Sequence, residues 1–262
     1  MSEPFYAGRV FRPKPGATVA AGIVFVILIG LGVWQLQRLT WKEGLIAERH
    51  DRSTAAAIEL PAPGADLSQM DFRHAQAAGH FDHAHEMYLA ARSMNGNTGY
   101  HVVTPFLLAD GRTLLVDRGW IPPERKDPAK RVEGQIEGQV TIDGLLRLQR
   151  AKTWLEPDNQ PKDNLWFWVD LPAMAAYLGL PPDRVTPFYL EAGLAPNPGG
   201  FPIGGQSRTE LPNDHLQYAL TWFSFAVILA VIWFLYHWKK PEEEAASNKP
   251  THDKPVPSKP TR

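Results

Sequence analysis

The chain reads as a membrane protein: a two-helix transmembrane hairpin, one span near each end, carrying a central β-rich extracytoplasmic domain of α+β, small barrel-like type. Three observations predict this. Apolar segments at about 17–36 and 218–238 each have roughly the 20 residues that cross a bilayer core of about 30 Å. The 24 prolines fall mostly outside them. Between the segments, short β-branched and aromatic runs alternate with Gly/Pro turns, the pattern of a small barrel or an α+β sheet.

Residues 1–16 form a short basic tail, and the first span is assigned to 17–37. Its apolar stretch exceeds a signal-peptide core. It ends in Trp34-Gln35-Leu36-Gln37-Arg38 rather than a small-residue cleavage site, so it is read as a retained anchor. Residues 41–57 are expected to be helical, on Leu45, Ile46 and several alanines, until Pro61 and Pro63. Strands are expected at 72–81 and 86–92. Residues 100–108 and 113–121 flank the Asp110-Gly111 turn and form the clearest hairpin. Residues 139–148 alternate Val140, Ile142, Leu146 and Leu148, and 165–169 are aromatic and strand-like. A short helix at 171–180 carries Met174, Tyr177 and Leu178 on one face, and 187–192 form a last strand. That makes about six strands and one helix. A Gly/Pro loop at 196–205 leads to the second span, 215–238, so the middle domain covers 38–214. Residues 239–262, with Glu242-Glu243-Glu244 among scattered Pro and Lys, are read as a disordered tail.

The formal net charge is −1 and no long basic stripe lies outside the tails, which argues against a nucleic-acid partner. Cysteine is absent, so disulfides, thiolate metal sites and cysteine catalysis are excluded. A domain without disulfides must rest on its own core, which a middle of this size can build. Arg9, Arg12 and Lys14 precede the first span, and Lys239 and Lys240 follow the second. Both termini are therefore expected in the cytoplasm and the middle domain in the periplasm. Arg38 and Lys42 oppose this, but a long domain translocates largely regardless of its charge. An extended acid-poor, Arg/Ser-rich leader is missing, which points to a bacterial inner membrane.

His215 is the sharpest candidate for chemistry. On a helix its face carries Tyr218, Ala219, Trp222 and Ala226. An ionisable group at a membrane edge needs a role or a partner. An imidazole beside aromatic rings suits a haem iron and its macrocycle; an ordinary interfacial histidine in an aromatic belt is the other reading. The first span offers Gly22, Gly30 and Gly32 for close approach, with Trp34 and Gln35 at the depth of His215. His80, His83, His85 and Glu86 form a cluster read as a surface strand edge, because only two ligands would converge. His237 is read as interfacial, with ligation of a second cofactor as the alternative. Arg118, in Asp117-Arg118-Gly119-Trp120, would either clamp a carboxylate or pair with an acid inside the domain. The chain holds no phosphate-binding glycine loop, nucleophile elbow or zinc-protease helix, so it is read as not an enzyme.

Several motifs in order resemble the surfeit locus protein 1 (Surf/Shy-type) family, the assembly factors of haem-copper cytochrome oxidase. Gly32-Val33-Trp34-Gln35-Leu36-Gln37-Arg38 with Trp41-Lys42 resembles the signature at the end of the first span. Gly79-His80-Phe81-Asp82-His83 and Tyr100-His101-Val102-Val103-Thr104-Pro105-Phe106 resemble the central strands. Val116-Asp117-Arg118-Gly119-Trp120-Ile121-Pro122 resembles a motif that usually has Asn where Asp117 stands. Gly204-Gly205-Gln206-Ser207-Arg208 and Asn213-Asp214-His215-Leu216-Gln217-Tyr218-Ala219 resemble the closing signature. The resemblance implies a role in building cytochrome c oxidase. Haem a would be bound at the periplasmic edge of the spans and passed to the catalytic subunit, with haem a synthase as a further partner. It implies His215 as the axial ligand to the haem iron. Trp34, Gln35, Tyr218 and Trp222 would shape the pocket, and Arg118 or Arg208 would meet the propionates. Two rivals stand beside this reading. One is a haem-free membrane scaffold that steadies an oxidase assembly intermediate. The other is an enzyme, a periplasmic hydrolase or a haem-modifying oxygenase.

Overall fold

A computed structural model of the chain describes residues 10–207 and 211–239. In chain order the elements are β1 (Val10–Phe11), α1 (Pro15–Thr54), β2 (Ile58–Glu59), β3 (His74–Phe81), β4 (Met87–Met94), β5 (Asn97–Leu108), β6 (Thr113–Ile121), β7 (Val140–Leu148), β8 (Leu165–Trp166), α2 (Leu171–Tyr177), β9 (Val185–Ala192), α3 (His215–His237) and β10 (Trp238–Lys239). The chain divides into two compact units, Met1–Gly44 with Pro212–Arg262, and Leu45–Leu211. Arg208 and the tail from Lys240 onward lie outside the described residues, as does the start of the basic tail, 1–9.

In the first unit, α1 and α3 are, among the described residues, the two helices long and apolar enough to cross a membrane, and most of their surface is left uncovered by protein. That exposure is what a lipid-facing helix requires, since water would penalise it. The chain is a membrane protein. α1 begins at Pro15, a residue suited to the first helical turn because it has no N–H to satisfy. Its 40 residues make about 60 Å of helix, twice a bilayer core. The span and the helix expected at 41–57 are therefore one element. Arg38, Lys42 and Glu43 change its solvent preference, but no proline or glycine-rich breaker interrupts it. Residues 45–54 of the same helix belong to the second unit. At the other end β1 pairs antiparallel with β10, Val10 opposite Lys239 and Phe11 opposite Trp238.

The second unit is a closed five-stranded barrel with an added sheet. Around the barrel run β3, β7, β9, β6 and β5, and β5 returns to β3 through Gly79 opposite Leu108 and Phe81 opposite Phe106. Only the β6–β9 neighbours are parallel; the other barrel pairs are antiparallel. Gly79 permits the closure, because a Cβ there would lie 2.3 Å from the Leu107 carbonyl oxygen. β5 is long enough to serve two neighbours. Its start pairs with β4, which carries β8 at the outer edge, and its end pairs with β3.

Strand β6 explains the layering. All of its residues are buried, the mark of a strand covered on both faces. Leu114 and Val116 point into the barrel with Ala75, Phe106, Leu146, Phe188 and Leu190. Leu115 points the other way, into a second cluster with Met87, Leu89, Val103, Trp166 and, from α2, Leu171 and Met174. Burying each such side chain contributes about 1.5–3 kcal/mol, and the two clusters let a cysteine-free domain hold itself. The Asp110-Gly111 hairpin forms as read, with Gly111 at φ 83°. The expected strands at 72–81, 86–92 and 139–148 correspond to β3, β4 and β7, and the last strand begins earlier than expected, at Val185.

Candidate functional site

The first unit holds the sharpest arrangement. The least exposed positions of α1 include Thr18, Ala21, Leu28, Gly32, Gln35 and Leu39; those of α3 include His215, Ala219, Trp222, Ala226, Leu229 and Trp233. Both sets follow the 3.5-residue period of two helices packed along a seam. The contacts run antiparallel: the Trp233 indole Nε1 donates to Thr18 Oγ1 at 3.2 Å, Gly32 faces the Phe223 ring, and Gln35 meets His215. Ala219 and Ala226 sit fully buried on that seam, small enough to bring the helices together. Gly32 is the matching small residue on α1, where a Cβ would approach Phe223 to 2.5 Å. Gly22 and Gly30, expected to share this role, have open space around their Cα atoms and lie off the seam.

At the upper end of the seam His215 Nδ1 lies 2.7 Å from Gln35 Oε1. Gln35 is only 9% exposed. Its amide oxygen is an acceptor alone, so Nδ1 carries the hydrogen and donates it. In the neutral ring this places the lone pair on Nε2, which makes no hydrogen bond among the described residues. Histidines that ligate metals commonly have this second-partner arrangement, which fixes tautomer and ring direction together. Among the residues expected to surround His215, Trp222 is half-buried and packs edge-on to Phe225, with centroids 6.1 Å apart. Trp34 and Tyr218 are 50% and 55% exposed, beside the seam rather than in it. A groove of about 560 Å³ on α3 is lined by Leu216, Gln217, Leu220, Thr221, Ser224 and Phe225 with Asn213 and Asp214, and not by His215 or Tyr218.

Arg118 is corrected by the structure as a propionate partner. It is 1% exposed and inside the second unit, with no surface from which to meet a carboxylate of a bound group. Its Nη2 donates to the Gly134 carbonyl and to Asn197 Oδ1 at 3.0 Å, and its plane lies 4.6 Å over the Phe81 ring. Its acid partner is Glu86, 3.8 Å away, so the alternative reading of an internal ion pair is the one the fold builds. Arg131 completes the cluster with a two-pronged contact to the Glu86 carboxylate. Burial raises the Glu86 pKa, but hydrogen bonds from His83 and Arg131 and the charges of Arg131 and Arg118 outweigh it. The carboxyl is held below its ordinary range. Burial, opposed by Glu86 and reinforced by Arg131, pulls Arg118 down to about 10, which leaves it charged at neutral pH.

The histidine cluster is not a strand edge. His80 is exposed on β3, while His83 and His85 stand in a 3-10 turn, His83–His85. His85 Nδ1 pairs with Asp82 at 2.7 Å, and His83 lies partly buried against the Ile136 carbonyl and Glu86. His237, expected at the interface, is 2% exposed. Its Nδ1 donates to the Trp233 carbonyl at 2.7 Å, and its ring packs among Phe11, Trp233 and Tyr236. What sequence reasoning missed is the partner role of Gln35 and the burial of Glu86 and Arg131. Gln35 lay in view as a polar residue inside an apolar span, three positions after Gly32 on the same face.

Comparison with known proteins follows the same segments. A family model described as SURF1 family matches residues 22–227. The mouse Surfeit locus protein 1 is 38% identical over 230 residues, covering 80% of this chain and 74% of that protein. The human protein of the same name is 37% identical over 228 residues, covering 81% and 74%. That of Takifugu rubripes is 35% identical over 237 residues, covering 82% and 97%. The whole barrel, most of the first span and the first half of the second lie within the matched length, and on that ground the chain belongs to the SURF1 family.

Proposed function

We propose that the protein is a non-enzymatic assembly factor for haem-copper cytochrome c oxidase, holding haem a at the periplasmic edge of its two spans for delivery to the catalytic subunit. Family membership supports the assembly role. The observation that carries the haem reading is the His215–Gln35 hydrogen bond, which leaves Nε2 as the free ligating atom. The residues fit an axial ligand of this kind. His215 would bind iron through Nε2, Gln35 would hold the ring, and Trp222, Tyr218 and Trp34 would supply aromatic surface. Haem a would contribute the iron and macrocycle that the oxidase subunit needs. On this reading the spans lie in a bacterial inner membrane with both termini cytoplasmic, as the basic residues flanking them favour.

The test is to purify the full chain from cells that make haem a, extract the haem, identify its type, and look for the oxidase catalytic subunit in the same preparation. Haem a together with the subunit supports the proposal. A colourless preparation that still carries the subunit favours a haem-free scaffold. One observation speaks for that second reading: Trp34 and Tyr218 are half exposed and available to pack on another membrane helix.

A further inference from the structure

The chain leaves β7 through a loop that turns its apolar residues outward. Trp154 is 91% exposed, more than any other large apolar side chain among the described residues, and its neighbour Leu155 is 72% exposed. A single apolar residue on a surface is ordinary, but an indole and a leucine side by side at one tip form a patch. The tip is built rather than loose. Thr153–Glu156 is a tight turn, closed by the Glu156 amide donating to the Thr153 carbonyl at 3.1 Å, and Trp154 and Leu155 hold its two central positions. The Glu156 carboxylate accepts from the Thr153 amide at 2.9 Å and from both terminal nitrogens of Arg150, one of them at 2.8 Å. The Arg150 contact, and after it the Thr153 amide, holds the Glu156 pKa down to about 2, so this clasp stays ionised at neutral pH.

Charge at the tip is cancelled locally. Arg150 pairs with Glu156, and Lys152 with Asp158. With its charges matched in pairs, the tip offers apolar surface rather than an attraction to an acidic or basic partner. An indole and a leucine framed by neutralised polar groups suit the membrane–water interface, where tryptophan is enriched. The root of the loop points to the same surface. Arg147, at the end of β7, stacks on the Phe72 ring at 4.0 Å, and Arg49 of α1 stacks on that ring at 4.6 Å. Arg49 stands about 16 Å of helix rise beyond Arg38, where the apolar stretch of α1 ends. A loop rooted beside that helix is tethered to a chain already anchored in lipid, which gives a bilayer surface a high effective concentration at its tip.

We propose that the Trp154-Leu155 tip inserts into the headgroup region of the bilayer that carries the two spans, as a further, reversible membrane attachment of the second unit. The attachment uses neither His215 nor haem, and its failure leaves the haem reading untouched.

The chain has no cysteine, so Leu155→Cys supplies a single thiol for an environment-sensitive fluorophore while Trp154 is kept. The labelled full chain is placed in phosphatidylcholine nanodiscs, which leave both membrane faces open to solvent. The dye is expected to be quenched by a lipid nitroxide carried high on the acyl chain and to be shielded from aqueous iodide. Adding Trp154→Glu, at an exposed position where the change spares the fold, should cut the nitroxide quenching several-fold, because a charge replaces the indole at the interface. If iodide quenches the dye and the lipid nitroxide does not, the tip stays in water and the proposal is wrong. Nitroxide quenching that Trp154→Glu leaves unchanged also overturns it, since the dye alone would then be entering the lipid. A dye exposed in nanodiscs and shielded only in native membranes, with their other proteins present, would place the tip on a protein instead and overturn the lipid assignment.

Discussion

Arg131 grips Glu86 with both terminal nitrogens, Nη1 to Oε1 at 3.0 Å and Nη2 to Oε2 at 2.5 Å, and both side chains are buried. The pair ties the start of β4 to the 3-10 segment Pro128–Gly134. Arg118, from β6, approaches the same carboxylate and also holds Asn197. One buried anion therefore offsets two buried cations, and Glu86 is the member whose loss costs most.

Glu86→Ala should destabilise the domain by about 3–5 kcal/mol, because it strands Arg131 and Arg118 without a counter-charge. Chemical unfolding of the solubilised chain, followed by circular dichroism, measures this. A loss under about 1 kcal/mol would show that the cluster does not hold the fold together.

The same carboxyl sets an acid limit. Its pKa in the folded protein is lowered from 4.5, so ionised Glu86 contributes stability that is full above the unfolded pKa. That contribution is lost as pH falls below about 4.5 and on through the depressed folded value. Glu86→Gln should remove this part of the acid slope, read as stability against pH. An unchanged slope in the variant would assign acid sensitivity to other groups. At the alkaline end Tyr88, beside Glu86, is pushed up to about 12 by burial and by that negative charge, against the pull of Arg131. Its raised value means stability is intact below pH 10 and declines between pH 10 and about 12.

Gly32→Leu should force the spans apart, since the Phe223 ring occupies the space of its side chain. The chain contains no cysteine, so cysteines placed at Thr18 and Trp233 can be joined by a short bifunctional thiol reagent without interference. The pair should cross-link readily in the parent and several-fold less with Gly32→Leu added. Equal yields would mean that Gly32 does not set the seam.

Much of the fold was legible because it rests on local pattern. The two apolar segments, the Asp110-Gly111 hairpin and the alternation in β7 all declare themselves in runs of ten to twenty residues, the scale on which periodicity works. Barrel closure was not legible. It depends on β3 meeting the far end of β5, a non-local pairing with no sequence marker beyond the glycine at 79. α1 was divided in two because charge at Arg38 and Lys42 ends a hydropathy window without ending a helix. In the site, His215 and Gln35 stood out as polar residues in apolar spans. Glycine carries no phase of its own, so Gly22, Gly30 and Gly32 looked alike, and only packing separates Gly32 from the others. Arg118 was ambiguous because Glu86 and Arg131 lie far from it in sequence, and charged residues read as surface until their partners are seen.

The most direct test of the central claim is the optical spectrum of the haem bound to the wild-type chain beside His215→Ala and Gln35→Leu. His215→Ala should lose the bound haem. Gln35→Leu, which removes the acceptor for Nδ1, should keep haem with about 10–100-fold weaker affinity and a shifted spectrum. Full haem content with an unchanged spectrum in His215→Ala would contradict the account.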